Sequence, residues 1–141
     1  MYTIRAMEIN DYEEMINLWK NTEGVGINDY DDSRNGINKF LQRNPKTCFV
    51  AESTANEIIG TILGGYDGRR GLIYHLMVEP EYRNQGIGNK LLEEVEKYFA
   101  KEGIKRIYII TFKENEIGNN FWEGNGYIIR DVLTFRTKII E

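Results

Sequence analysis

Histidine, cysteine and proline are nearly missing from this chain, and no long apolar run occurs in it. With Cys48 its only cysteine, the chain can form no intrachain disulfide and no cysteine-based zinc site. With His75 its only histidine, it has no histidine cluster and lacks the partners of most hydrolase triads, so no metal is expected. No stretch approaches the roughly 20 apolar residues of a membrane helix, and no membrane partner is expected. The opening residues turn acidic too early for a secretory leader, which makes the cytoplasm the expected location. Excess positive charge is absent too. A net charge of −4 suits nucleic-acid backbones poorly, so no nucleic-acid partner is expected, whereas it is compatible with cationic amines.

What is present is ordinary for a globular protein: 41% hydrophobic and 28% charged residues in a length that suits one domain, expected to span 1–141. Residues 2–5 read as a short strand. Asn10 or Asp11 can cap a helix whose apolar side is Met15, Ile16, Leu18 and Trp19. Residues 21–35, with Gly24, Gly26 and an acidic group, read as a loop, and 34–42 as a second helix with Ile37, Phe40 and Leu41 inward. Pro45 breaks it. The period then changes to two. Residues 48–53, 58–66 and 72–78 form three strands joined by short turns, an antiparallel meander, in which Cys48 reads as a buried hydrophobe. Residues 85–101 carry Ile87, Leu91, Leu92, Val95, Tyr98 and Phe99 at helical spacing, and Gly103 ends the helix. Residues 107–112 read as another strand, 117–123 as a short helix, and the apolar residues after Tyr127 as a last strand. The order is β-α-α-β-β-β-α-β-α-β, with room for a final hairpin. The step from 72 to 112 predicts a right-handed parallel crossover in an otherwise antiparallel sheet.

The sharpest local feature is Arg83-Asn84-Gln85-Gly86-Ile87-Gly88, between a strand and the longest helix. A helix N-terminus offers unpaired N–H groups and about half a positive charge, which suits a pyrophosphate. Gly86 and Gly88 carry no Cβ to keep phosphates away, and Asn89 and Lys90 add donors. A dinucleotide fold would have a third glycine and an acidic residue after the next strand, and a nucleoside-triphosphate loop would have Gly-Lys-Ser/Thr; neither is here.

The run from Leu76 to Gly88 resembles the acetyl-CoA motif of the GCN5-related N-acetyltransferases (GNAT), R/Q-x-x-G-x-G/A after a strand ending V-x-P. Asn115, Gly118, Trp122, Gly126 and Tyr127 resemble a second motif of that family at its spacing, and the element order is also the family's. The stretch from Gly60 to Arg83 is most similar to the YpeA-like bacterial members. The resemblance implies the GNAT fold: an α/β (α+β) architecture with a central mixed, mostly antiparallel sheet, splayed at its middle and flanked by about four helices. It also implies acetyl-CoA as cosubstrate. It implies further that the strand before the turn carries a bulge and splays from the next strand, so that Leu76, Met77 and Val78 would bond the pantetheine arm through their main chain, with the Val78 N–H facing the thioester carbonyl as an oxyanion donor. Arg83, Asn84, Gln85, Gly86, Ile87, Gly88 and Asn89 would wrap the pyrophosphate. Asn115 would bond the arm from the other side, or else simply cap the helix after it.

Trp122 departs from the family, which often has a tyrosine there to protonate the leaving thiolate. An indole N–H donates hydrogen bonds but is no useful acid, so Trp122 is expected to pack on the arm or in the core. The positions where some members carry a catalytic carboxylate are the apolar Leu72 and Ile110. Tyr74, on the same strand face as Leu72, can hold a water there or serve as a core residue; His75 faces the other way and reads as structural. An amine with a pKa near 10 must shed a proton before attack, about 4 kcal/mol at pH 7, and a water chain is the expected base. The implied activity is acetyl transfer to a primary amine, on a small molecule or a protein, by direct attack in a ternary complex. Its rival is a catalytically silent acyl-CoA sensor. Glu23, Asp29, Asp31 and Asp32 in the loop between the first two helices would favour a cationic acceptor if they are not simply solvated. Strand edges near the C-terminal end would be where two copies pair as a homodimer.

Overall fold

The computed structural model describes residues 1–141. Residues Met1–Ile110 form one compact unit and Thr111–Glu141 a second. In the first, β1 (Tyr2–Ala6) is followed by a 3₁₀ turn (Ile9–Asp11), α1 (Tyr12–Lys20), α2 (Arg34–Arg43), β2 (Cys48–Ser53), β3 (Ile58–Tyr66), β4 (Gly71–Val78), a second 3₁₀ turn (Pro80–Tyr82), α3 (Ile87–Lys101) and β5 (Ile107–Ile109). The five strands make one mixed sheet in the order β1-β2-β3-β4-β5. The first three pairings are antiparallel and β4–β5 is parallel, as the crossover predicted.

Capping chemistry sets the helix starts. Ser33 Oγ accepts the Gly36 N–H at 3.0 Å and opens α2. Asp11 stands at the start of α1 but makes no cap bond to it. Its two oxygens instead take both Arg5 terminal nitrogens at 2.9 Å, and Oδ2 also takes the Glu8 N–H at 2.8 Å, which fastens the end of β1 to the helix entry.

The helices lie on opposite faces of the sheet, and two adjacent glycines of β3 show why they pack so closely. Successive strand residues face opposite ways. A Cβ on Gly64 would sit 2.9 Å from Val95 Cγ1 of α3, whereas one on Gly65 would sit 2.9 Å from Phe40 Cζ of α2. On the α1–α2 face, Met15, Trp19, Ile37, Leu41, Cys48, Val50 and Leu63 form the buried cluster. On the α3 face, Ile87, Leu91, Leu92, Val95 and Phe99 are at most 1% exposed.

Three expectations need correction. The long helix begins at Ile87 rather than 85, because Gly86 takes a left-handed conformation (φ 81°) that closes off the helix N-terminally. The strand expected over 107–112 ends at Ile109. No final strand forms. In the second unit α4 (Glu116–Gly124) ends in a turn in which the Tyr127 N–H bonds Trp122 O and Gly126 has φ 86°. Residues 128–141 then carry no ladder, and Ile128, Ile129, Val132, Leu133, Phe135, Ile139 and Ile140 are exposed. Apolar composition supplies strand propensity, but a strand also needs a hydrogen-bonding neighbour, which composition does not specify.

Two outcomes follow. Cys48 is 1% exposed and burial pushes its thiol from 9.0 up to about 12. At pH 8 the thiolate fraction is then about one in ten thousand, so a thiol-titrating disulfide reagent should find no reactive thiol in the native chain and one in urea. Because the unfolded thiol ionises first, this group's contribution to stability is present below pH 9 and lost as pH climbs toward 12. Second, buried Thr61 Oγ1 accepts from Trp19 Nε1 at 2.9 Å and donates to His75 O at 2.8 Å. Thr61→Val keeps the shape and strands both partners, and urea unfolding should register a loss of about 2–3 kcal/mol.

Candidate active site

The site is built on an irregularity in β4. Tyr74 pairs with Leu63 and Met77 with Thr61, so His75 and Leu76 stand opposite the single residue Ile62. His75 takes φ 48°, a left-handed conformation few non-glycine residues adopt. Its carbonyl is held by Thr61 Oγ1, its ring lies 4.5 Å from the Trp19 ring, and its Nε2 is 2.8 Å from Asp32 Oδ1. Asp32 is itself fixed: Oδ2 accepts the Asn28 N–H at 3.0 Å and its carbonyl accepts the Tyr12 hydroxyl at 2.7 Å. Residues 43 apart in sequence thus tie the loop between α1 and α2 to the bulge.

The bulge sets which way the following backbone points. The Glu79 N–H bonds Ile59 O at 2.8 Å, so Glu79 and Ile59 are a hydrogen-bonded pair. In an antiparallel ladder the next pair, Val78 and Gly60, must then turn its N–H and C=O groups away from each other. The Val78 N–H therefore faces the edge opposite β3. On that edge β5 pairs with β4 only from Gly71 to Ile73, and no strand pairs with Tyr74 to Val78. The two parallel strands part after Ile73, which is the splay the sheet was expected to have. Val78 O accepts Arg83 Nε at 3.2 Å, tying the strand end to the turn that follows.

That turn runs through Asn84 (φ 64°) and Gly86 (φ 81°) into α3. The first intrahelical bond is Lys90 N–H to Gly86 O at 3.0 Å, and no side chain caps the helix. The amides of Ile87, Gly88 and Asn89 therefore have no helical acceptor. Asn84, Gln85, Gly86, Asn89 and Lys90 are exposed. The Ile87 side chain, 1% exposed, belongs to the core, so only its backbone can meet a ligand.

At the other end of the parting strands lies a cavity of about 390 Å³, walled by Phe40, Tyr66, Leu72, Tyr74 and Tyr108. Tyr74 is 41% exposed and meets Phe40 edge-on at 5.8 Å, so it is a wall residue rather than a core tyrosine. Desolvation, then the charge of Asp31, raises its pKa. It remains a neutral phenol at physiological pH, able to hold a water but not to act as a strong base.

In the second unit, Asn115 Oδ1 accepts the Gly118 N–H at 3.0 Å and is the cap of α4, with its Nδ2 outside that bond. Trp122 is 8% exposed and lies between Phe121 (5.2 Å) and Tyr127 (4.9 Å). In the first unit Ile110, the apolar residue where some family members carry a carboxylate, is 58% exposed.

Sequence reasoning missed the Asp32–His75 pair and the arginines around the cavity. The first carries no local signal across so long a separation. The second was announced only by Arg69 and Arg70 in a turn, a place where charges are commonly just solvated.

The Acetyltransferase (GNAT) family profile matches residues 12–127. The fold is shared with several solved structures. Ard1 from Thermoplasma volcanium superposes with a TM-score of 0.80 at 18% identity, over 92% of this chain and 84% of that one. PaiA N-acetyltransferase from Thermoplasma acidophilum, in complex with coenzyme A, gives 0.81 at 23% identity, over 93% and 92%. A predicted acetyltransferase from Clostridium acetobutylicum, with acetyl-CoA, gives 0.76 at 21%, over 97% and 96%. These identities speak for the fold; the profile, which spans most of the chain, decides membership, and this chain belongs to the acetyltransferase (GNAT) family.

Proposed function

We propose that this acetyltransferase takes the acetyl group of acetyl-CoA and transfers it to a primary amine by direct attack in a ternary complex. The observation that carries the reading is the Val78 N–H, turned toward an unpaired strand edge that runs from the open end of α3. An extended, amide-bearing arm can lie along such an edge as an added strand, bonding the main chain of Leu76, Met77 and Val78. Backbone amides at Gly86 to Asn89 suit a pyrophosphate, and Asn84, Gln85 and Arg83 surround them. Two of the similar structures hold coenzyme A or its acetyl ester. In the same reading 1–141 is one acetyltransferase domain, of the YpeA-like kind, working inside the cell.

When the amine nitrogen attacks the thioester carbon, negative charge builds on the carbonyl oxygen, and a fixed N–H at Val78 would stabilise it without reorganising. The C–S bond then breaks, the nitrogen loses a proton, and the thiolate gains one. Tyr74, a neutral phenol at the cavity, is placed to hold a water that takes the amine proton. Trp122 stands where many family members carry the tyrosine that protonates the thiolate, and water is the proton source we assign. Two copies pairing through the exposed apolar segment 128–140 form part of the same reading, which sedimentation at micromolar concentration reads directly.

Calorimetric titration tests the binding half of the proposal. Coenzyme A should give heat at one site per chain, and Gly86→Val, which forces a branched side chain into φ 81°, should weaken binding by about tenfold. Absence of heat with the unsubstituted chain would sink it. Release of free thiol from acetyl-CoA on adding amines tests the transfer half; binding without release would leave the silent sensor. For Trp122, the prediction is that Trp122→Phe keeps kcat within about threefold, since a phenyl ring replaces the packing and no acid is lost. A hundredfold fall would show that the indole N–H takes part in the chemistry.

A further inference from the structure

The cavity at the closed end of the splay is electropositive, the opposite of what the acidic loop led one to expect. Besides its aromatic wall it is lined by Arg43 from the last turn of α2 and by Arg69 and Arg70 from the β3–β4 turn. None of the three guanidinium groups has a carboxylate within salt-bridge distance, although Arg5, Arg34 and Lys90 elsewhere do. Arg70 lies 5.3 Å over the Tyr108 ring, which fixes its plane at the wall. The only carboxylate in the lining is Asp67, and it serves the turn: its Oδ1 accepts the Arg69 and Arg70 N–H groups at 2.7 and 2.9 Å. Those two bonds, that of Arg70 the larger, also hold its pKa below the ordinary value. Among the lining residues three cations thus face one engaged anion, while Glu102, which accepts the Tyr66 hydroxyl at 3.5 Å, stands outside the lining.

The acidic loop does not offset this. Asp32 is buried against His75 and the Asn28 N–H, and Asp31 takes the Asn28 side-chain amide at 2.9 Å. Only Asp31 is felt in the cavity, through its effect on Tyr74. A second observation concerns the cavity wall. Asn44 is 4% exposed and lines it, and its Oδ1 is buried with no hydrogen-bond partner while its Nδ2 is spent on Phe40 O. An unmet acceptor of this kind costs about 1–3 kcal/mol and sits in the wall beside Arg43.

From this we infer that the acceptor amine carries an anionic group, a carboxylate held by Arg43, Arg69 and Arg70, at the end remote from its nucleophilic nitrogen. The inference rests on the proposed acetyl transfer, because it takes Val78 as the reacting end. Tyr74, in the cavity wall, and Val78 are four residues apart on β4, one of them taken up by the bulge, and a strand rises about 3.3 Å per residue. The near wall of the cavity, at Tyr74, and the Val78 amide are therefore about 10 Å apart, with the arginines of the β3–β4 turn farther on, where an acidic side chain would reach past Tyr74. A short extended peptide spans this with its acidic residue two positions after the free N-terminus, and the aromatic wall accommodates its backbone. Planar guanidinium forks pair with carboxylates in two parallel bonds, so the arginines select the anion by shape as well as charge.

The test uses the full chain and three amidated tripeptides, Ala-Gly-Glu, Ala-Gly-Gln and Ala-Gly-Lys, with thiol release from acetyl-CoA as the readout. The expected order of kcat/KM is Glu above Gln by at least about tenfold and Lys last, with the Glu-to-Gln ratio shrinking in 0.5 M salt. In the double variant Arg43→Gln, Arg70→Gln, that ratio should fall to below about threefold. A ratio near one in the unsubstituted chain, a preference for Lys, or a ratio that survives the double substitution overturns the inference. If none of the three peptides turns over, calorimetry with the N-acetylated Glu and Gln peptides in the presence of coenzyme A decides it: equal affinities, or no heat from either, overturn it. Coenzyme A that gives no heat at all sinks the underlying acetyl-transfer reading instead.

Discussion

The left-handed conformation of His75 is the constraint on which the remainder of the site depends. At φ 48° a non-glycine residue carries a cost of about 1–2 kcal/mol, and such a conformation persists only where neighbours over-determine it. Here three elements do so: Thr61 of β3 holds the carbonyl, Trp19 of α1 lies against the ring, and Asp32 of the α1–α2 loop binds Nε2. With His75 fixed, two residues of β4 answer to one of β3, and the strand beyond is rephased. That rephasing, together with the Glu79–Ile59 bond, turns the Val78 N–H to the open edge. A strand without the bulge would turn the same amide toward β3 and close it in a ladder bond.

A buried imidazole–carboxylate contact inside such a hub has a second consequence. It joins the loop between α1 and α2 to the bulged strand, so loop position and strand geometry are not independent variables. The pairing of Asp32 also takes the most buried of the loop's carboxylates out of play for ligands. Charge counted along a segment of sequence says nothing about which charges are already satisfied, and here the count pointed to cationic acceptors while the arrangement exposes arginines. Arg69 and Arg70 are adjacent in a turn, Arg43 is far away on α2, and only the packing of α2 on Gly65 brings the helix end to the hairpin.

Legibility in the sequence followed the range of the interaction responsible. Elements set by local periodicity were readable almost to the residue: the meander over 48–53, 58–66 and 72–78, and the apolar face of α3 from Ile87 to Phe99. The glycine turn was readable because positive φ at Gly86 is a property of one residue type. Asn115 was half readable; its cap bond to Gly118 is local, whereas a ligand role is not. What escaped was non-local. The bulge itself was expected from the family resemblance, but the residues that hold it, Thr61, Trp19 and Asp32, are none of them adjacent to His75, and nothing in the run from Leu72 to Val78 announces them. The last strand failed for the same reason, since residues 128–141 have the composition of a strand but composition carries no pairing partner.

These ranges also divide the work of the site between backbone and side chains. Groups read as meeting the cosubstrate are nearly all main chain: the amides after Gly86 and the edge of β4 at Leu76 to Val78. Backbone donors place the same atoms whatever side chains they carry, so the fold and a few glycines suffice to preserve that half, and a wide range of sequences can share it. The half proposed for the acceptor is made of side chains: Arg43 at a helix end, Arg69 and Arg70 in a turn, and Tyr74 and Tyr108 on the parting strands. Each can be exchanged without disturbing the sheet, because none is in the buried core. On the proposed reading, a fold arranged this way keeps its chemistry constant at the rephased strand while its choice of amine is rewritten at the cavity, one side chain at a time.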